Sequence, residues 1–360
     1  MAEPLKDRFF TQNSLQKFAT TIKDAYPAFD ADKFISLIHD EEWAGKEIMQ
    51  RMRHTTESLQ KMLPPSYPEA LEILKKAAPN VKGFESVTLP DYVSLYGLDD
   101  WDLSLPALGY FTRFSTSELA VRPFLDRDPD RVMPYMLKWA EDENENVRRF
   151  ASEGCRPRLP WAMALPKFKK DPRSIFPVLE KLKNDSAEFV RRSVANNLND
   201  ISKDNPDLAL EVCERWYGQS EKTDRIVKHA CRTLLKAGDP RALKIFGYCD
   251  PSRVQITDFK LATSVLKIGE TLLFSFEMEI SGEKKGRVRL EYAVKYQKSG
   301  GKASKKIFQL AENDYAPGRY QLKRKQSFAD MSTRKHYPGT HCISIVVNGE
   351  ARVNDTFELK

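Results

Sequence analysis

A Val-Arg-Arg motif occurs twice in the same setting in the middle of this 360-residue chain, at Val147-Arg148-Arg149 and Val190-Arg191-Arg192. Four dipeptides punctuate the same region: Asp128-Pro129, Asp171-Pro172, Asn205-Pro206 and Asp239-Pro240, spaced 43, 34 and 34 residues apart. An Asp or Asn side chain can accept hydrogen bonds from the free N–H groups of a first helical turn. Proline at the first helical position loses nothing, because its N–H would have no partner there. Each dipeptide is followed by an apolar, helix-like stretch. A second helix then begins near Asp142 and carries Val147 to Ala151, and its counterpart begins near Asp185 and carries Val190 to Val194. A third reads Ile226-Val227-Lys228-His229-Ala230. Such a period demands stacked helical hairpins, which bury one continuous core and leave a long concave face.

The order acid, Val-Arg, small apolar residue resembles the second helix of HEAT repeats. Helical spacing also runs through the N-terminal part: Leu15, Phe18, Ala19 and Ile22, then Phe34, Leu37 and Ile38, then Ala70, Leu71, Ile73 and Leu74. A further helix is expected over 107–119. From about residue 252 the period changes to two. Leu272, Phe274, Phe276, Met278 and Ile280 alternate with more polar neighbours, as do Val288, Leu290, Tyr292, Val294 and Tyr296. Further strands are expected at 306–310, 320–326, 341–347 and 352–359. Turns such as Ser281-Gly282, Ser299-Gly300-Gly301, Pro317-Gly318 and Asn348-Gly349 separate the candidates. About seven strands in some 110 residues fit an immunoglobulin-like sandwich. The expected architecture is an all-α HEAT-like helical repeat solenoid over 1–250, followed by an all-β sandwich over 252–360.

Composition narrows the function classes. No apolar run is long enough to span a membrane, and the opening Met-Ala-Glu-Pro-Leu-Lys-Asp-Arg lacks an apolar core for a secretory signal. Five scattered cysteines without a Cys-x-x-Cys pair suit a reduced, cytoplasmic protein with no metal site. The net charge of +7 is unevenly placed. Residues 251–360 hold 20 basic and 12 acidic side chains, against 38 and 39 in the first 250. A basic domain favours polyanions such as nucleic acid. Lys284, Lys285, Arg287 and Arg289, with Lys302, Lys305, Lys306, Lys323, Arg324 and Lys325, are denser than protection of an edge strand requires. Contact with nucleic acid is the expectation there.

Two carboxylates, Glu153 and Asp200, fall near the ends of the two equivalent Val-Arg-Arg helices. Arg156, Arg158 and Trp161 follow the first of them. Such a set suits a cationic ligand on an anionic polymer. On chemistry alone, a salt bridge from Glu153 to Arg156 or Arg158 is the plainer reading. Asp200 is an unfavourable charge for a helix C-terminus, which points mildly to a role in positioning water. Trp161 either stacks on a sugar or base or plugs a groove between hairpins. Glu118 reads as solvated or paired with Arg122. Arg148, Arg149, Arg191, Arg192 and Lys228 recur at matching repeat positions, where they either track phosphates or pair between repeats.

Three segments, Ser152–Trp161, Asn196–Asp200 and Ser115–Phe124, resemble the AlkC branch of the AlkC/AlkD DNA alkylation repair glycosylases, in the order expected. The resemblance covers essentially the whole chain. It departs at Cys155, where a small or hydroxyl residue such as threonine is expected. It implies a monofunctional glycosylase acting, without cofactor or metal, on double-stranded DNA that carries N-alkylated bases, notably 3-methyladenine and 3-methylcytosine. Glu118, Glu153 and Asp200 would be its acidic residues and Trp161 its aromatic one. Asp200 is the expected water-positioning group, and the lesion would be reached without a deep base pocket. A monomer that closes on the duplex with its sandwich, next to the nucleoid, completes the expectation. The competing class is a non-catalytic HEAT scaffold that binds DNA or protein.

Overall fold

The computed structural model describes residues 8–298, 303–330 and 335–360. The opening seven residues, the Ser299-Gly300-Gly301 turn and Lys302 lie outside the described residues. The described residues form two compact units, one ending at Ala230 and one starting at Cys231.

The first unit is a stack of helices: α1 (Gln12–Ala25), α2 (Ala31–Ile38), α3 (Ile48–Gln60), α4 (Tyr67–Ala77), α5 (Thr88–Tyr96), α6 (Trp101–Thr112), α7 (Arg122–Arg127), α8 (Pro129–Trp139), α9 (Glu145–Gly154), α10 (Pro166–Lys170), α11 (Phe176–Leu182), α12 (Glu188–Ile201), α13 (Pro206–Trp216) and α14 (Glu221–Ala230). The apolar stripes read from the sequence are the buried ones: Leu15, Phe18, Ala19 and Ile22 in α1, and Val190, Val194 and Leu198 in α12. Asp128 caps α8 by accepting from Arg131 N, with Pro129 in the first turn. Asp171 instead precedes a short 3₁₀ turn, Arg173–Ile175, that leads into α11. The helix expected over 107–119 runs from Trp101 to Thr112 and stops there. The Thr112 and Ser117 hydroxyls both donate to the Leu108 carbonyl, at 2.7 and 2.9 Å. That turns the chain out of the helix and puts Glu118 in a turn.

The first arginine of each Val-Arg-Arg builds the repeat. Arg148 Nη1 donates to the carbonyls of Asp142 and Glu143, at 3.0 and 2.9 Å. Arg191 Nη1 does the same to Asp185 and Ser186, at 2.5 and 2.9 Å. Asp142 and Asp185 in turn accept from the backbone N–H two residues on. Between repeats, Arg113 pairs with Asp142 and Arg148 with Asp185, each through two oxygens. The first arginine of the motif thus ties down the loop ahead of its own helix, while Arg113 and Arg148 link neighbouring hairpins.

The second unit opens with α15 (Arg232–Ala237) and α16 (Pro240–Ile245) and continues as eight strands. These are β1 (Val254–Leu261), β2 (Val265–Leu266), β3 (Thr271–Ile280), β4 (Gly286–Gln297), β5 (Ala303–Tyr315), β6 (Gly318–Ser327), β7 (Gly339–Val347) and β8 (Glu350–Leu359). They form a three-stranded sheet, β1-β3-β6, and a five-stranded one, β2-β8-β7-β4-β5. The alternating residues Leu272 to Ile280 and Val288 to Val294 meet in one core between them. Residues 231–250 belong with the sandwich rather than with the repeats, earlier than a boundary at 250/252. Backbone bonds explain this: Cys249 N donates to Arg287 O at 2.9 Å, and Asn348 Nδ2 donates to Cys249 O at 2.7 Å. The five cysteines are free, so no disulfide ties this immunoglobulin-like sandwich. Among the described residues, no helix is long and apolar enough to cross a membrane, and no His, Cys, Asp and Glu cluster could hold a metal ion.

Candidate active site

Helices α9 and α12 lie side by side, and polar side chains at their C-terminal halves join them. Ser193 Oγ donates to Glu153 Oε2 at 2.6 Å and lies 3.1 Å from Ser152 Oγ. Asn197 Nδ2 donates to Ser152 O at 2.8 Å. Such bonds satisfy groups that burial would otherwise leave costly. Gly154 matters for close approach. A Cβ there would lie 2.9 Å from Val121 Cγ1. Its absence lets the end of α9 rest against the turn that carries Glu118.

The three acids are linked by guanidinium groups into a ladder. Glu118 Oε1 accepts from Arg149 Nη1 at 2.9 Å. Arg149 Nη2 lies 3.5 Å from Glu153 Oε1. The same oxygen accepts from Arg156 Nη1 at 2.5 Å, and Arg156 Nε donates to Asp200 Oδ2 at 2.7 Å. Lys203 Nζ ends the chain on Asp200 Oδ1 at 2.9 Å. Burial works against the Arg156 charge, but its two carboxylate partners outweigh burial and hold its proton more tightly than usual. Arg149 also lies under the exposed Phe189 ring, 4.9 Å from its centroid. The acids are unequally used. Both oxygens of Glu153 and both of Asp200 have partners, whereas Glu118 Oε2 accepts no hydrogen bond among the described residues.

Cys155 follows α9. Its thiol donates to the Ala151 carbonyl at 3.2 Å, as a hydroxyl there would, and burial pushes its pKa up to about 12. Beyond it the chain loops out to Trp161, which is 64 % exposed with φ at +62°. Its side chain stands in the open and plugs no groove. Left-handed backbone is uncommon for a bulky residue and implies that the surroundings enforce it.

The structure brings Glu118, Glu153 and Asp200 together through Arg149 and Arg156, and it corrects several other assignments. Glu118 pairs with Arg149, not Arg122. Arg148 and Arg156 are held in ion pairs inside the repeats, Arg148 with Asp185 and Arg156 with Glu153 and Asp200. Arg191 is spent on loop carbonyls. Arg158 grips Asp204 through both oxygens, at 2.8 and 2.6 Å, at the surface. Arg192 is exposed and lines a cleft of ≈ 220 Å³ with Glu188, Lys222, Arg225 and His229. Lys228 is half-buried on α14. In the sandwich, Lys284 and Lys285 are exposed on a turn. Arg289 is buried against Glu291 at 2.7 Å, and Arg287 lies over the Tyr248 ring and bonds Glu312 at 3.2 Å. Both arginines of this run are thus paired within the sandwich, Arg289 with Glu291 and Glu312 and Arg287 with Glu312. Sequence reasoning missed Ser193, Lys203, Phe189 and Arg122. Ser193 stands opposite Phe150 when the two Val-Arg-Arg helices are aligned, so no repeat signal marks it and only packing brings it to Glu153.

A family model for DNA alkylation repair enzymes matches residues 111–234, the segment holding the whole ladder. A second, for the C-terminal Ig-like domain of YhaZ, matches 255–360. The uncharacterized protein YhaZ of Bacillus subtilis (strain 168) is 43 % identical over 97 % of this chain and 98 % of its own length. The solved structure of Pseudomonas fluorescens alkylpurine DNA glycosylase AlkC, bound to DNA containing an abasic site analog, superposes with a TM-score of 0.93 at 40 % identity. That likeness covers 99 % of this chain and all of the other. A helical repeat unit followed by an Ig-like sandwich is the fold that this chain shares with a DNA alkylation repair glycosylase. The chain belongs to the AlkC family of DNA alkylation repair glycosylases.

Proposed function

We propose that the protein is a monofunctional DNA glycosylase that hydrolyses the N-glycosidic bond of cationic, N-alkylated bases of the 3-methyladenine and 3-methylcytosine class in double-stranded DNA. It acts as a monomer in the cytoplasm, at the nucleoid, without metal or cofactor. The observation that carries this reading is the ladder Glu118–Arg149–Glu153–Arg156–Asp200, with an exposed tryptophan on the loop that follows it. The AlkC relative, solved with an abasic-site analog, supports the same class of product.

Methylation of a ring nitrogen makes the base a cation and a good leaving group, so no acid is needed to protonate it. The demand is to stabilise the positive sugar and admit water to it. Arg149 and Arg156 hold the acids in place before the substrate arrives, which spares the reorganisation cost of gathering them in the transition state. Asp200 is the weaker candidate for positioning water, because Arg156 and Lys203 occupy both its oxygens. Glu118, with one oxygen unused, takes that role in our reading. Trp161 supplies an aromatic face to the deoxyribose or the cationic base. Arg192, Arg225, Lys222 and His229 follow the backbone phosphates. Their surface pairs with Glu188 and Glu221 are cheap to exchange for phosphate.

The test is release of free methylated base from alkylated duplex DNA by wild type, Glu118→Gln, Glu153→Gln and Asp200→Asn. The wild type should release base, and Glu118→Gln and Glu153→Gln should lose on the order of 10²–10³-fold in rate. Equal rates in all four proteins would remove the catalytic assignment. An inactive wild type that still binds DNA would make the chain a scaffold.

A further inference from the structure

Arg122 is among the largest fully buried side chains of the molecule, yet the chemistry above makes no use of it. It opens α7, four residues after Glu118. Its Nε donates to the Met163 carbonyl at 2.6 Å, and its Nη1 donates to the carbonyls of Gly154 and Arg156, at 3.1 and 2.9 Å. Three carbonyls spread over ten residues thus converge on one planar cation. They bracket the loop that carries Trp161: Gly154 ends the helix bearing Glu153, Arg156 is a rung of the ladder, and Met163 lies just beyond the tryptophan. The loop contributes little of its own. Its backbone bonds are Ala162 N to Leu159 O at 3.4 Å and Leu165 N to Pro157 O at 3.1 Å. Leu159 and Leu165 are its buried apolar anchors. Neither feature accounts for an exposed tryptophan held at positive φ.

We propose that Arg122 is a positioning residue for base excision, clamping both ends of the Trp161 loop so that the indole is held at a fixed place relative to Glu153 and Asp200. The proposal rests on the glycosylase reading given above. Arginine suits the task because its fork meets several carbonyls at once, whereas a lysine is a point donor that cannot span them. The arrangement has a cost. Burial pushes the Arg122 pKa down to about 10, and Nη2 lies buried with no hydrogen-bond partner among the described residues. A core that needed only to be filled would have no use for an unsatisfied guanidinium. A loop that must stay strained and exposed does.

The experiment uses the full chain, with Arg122→Lys made alone and together with Trp161→Ala. Single-turnover excision by Arg122→Lys should fall on the order of 10–100-fold, while affinity for duplex DNA carrying an abasic-site analog stays within about twofold. In the Trp161→Ala background the same change should cost no more than about twofold, since the group it acts through is gone. Tryptic cleavage after Arg158 reports on the loop independently of catalysis and should be faster in Arg122→Lys than in wild type. Additive losses in the double variant, or a wild-type rate with unchanged cleavage, would overturn the proposal. A wild type that releases no base would instead defeat the glycosylase reading, with the cleavage assay still judging the clamp. Should Arg122→Lys fail to fold, Arg122→Gln, which keeps a single amide donor, carries the same measurements.

Discussion

Arg156→Met separates two views of the most crowded cation in the chain. If Arg156 contacted phosphate, its loss would weaken DNA binding, lower the salt slope by about one and leave stability alone. The structure predicts otherwise. The side chain is 9 % exposed and bridges Glu153 at 2.5 Å and Asp200 at 2.7 Å, each of them nearly buried as well. Removing one partner of a buried pair leaves uncompensated charge and typically costs about 3–5 kcal/mol. Here two acids lose a partner, but Lys203 remains on Asp200 and both Ser193 and Arg149 on Glu153, so the same range applies. For a unit of this size about 2–4 °C of melting temperature goes with each kcal/mol. Thermal denaturation should therefore show a drop of roughly 6–20 °C. Adding Glu153→Gln and Asp200→Asn to Arg156→Met should recover most of it, because the penalty comes from isolated charge rather than lost volume. A melting temperature within about 2 °C of wild type, or a triple variant no better than the single one, would refute the reasoning.

Asp185 bears on the acid limb of stability. Burial alone would raise its pKa, but the hydrogen bonds from Arg148 and the Ala187 N–H, with the nearby arginine charges, hold it below the ordinary carboxylate range. Its contribution is therefore present above the unfolded pKa and lost as pH falls through the folded one. Asp185→Asn should be less stable than wild type at neutral pH, and the gap should narrow in denaturant melts taken below about pH 4; a constant gap would contradict this. The Cys155 thiol, buried and raised to about 12, should escape a thiol reagent at pH 8 until the chain unfolds, as peptide mass spectrometry would read. Lys284→Ala with Lys285→Ala should weaken DNA binding with a shallower salt dependence. Arg289→Met, by contrast, should lower melting temperature, because its partner Glu291 is fully buried.

Much of the architecture was legible because it rests on local periodicity. The apolar stripe of α1, the Asp-Pro cap of α8 and the alternation along β3 each follow from neighbours a few residues apart. Glu153 and Asp200 were legible for the same reason, since both fall near the ends of the two equivalent Val-Arg-Arg helices. The long-range charge pairs were hidden for a common reason. Arg148 and Arg156 look like phosphate ligands in a linear reading, because their partners Asp185 and Asp200 stand 37 and 44 residues away. Arg289 looks like part of a basic run until the strand pairing turns it inward, towards Glu291 and Glu312.

By itself, the sequence determined that this chain builds helical hairpins and then a sandwich, since caps, turns and hydrophobic period act over a few residues. It also singled out the segments that carry Glu118, Glu153, Trp161 and Asp200. Only the tertiary structure decided which charges face outward. An arginine is a surface cation or half of a buried pair according to what packs beside it. For Arg149, Arg156 and Arg122 that neighbour comes from another part of the chain, so their roles as rungs and clamp appear only once the repeats are stacked.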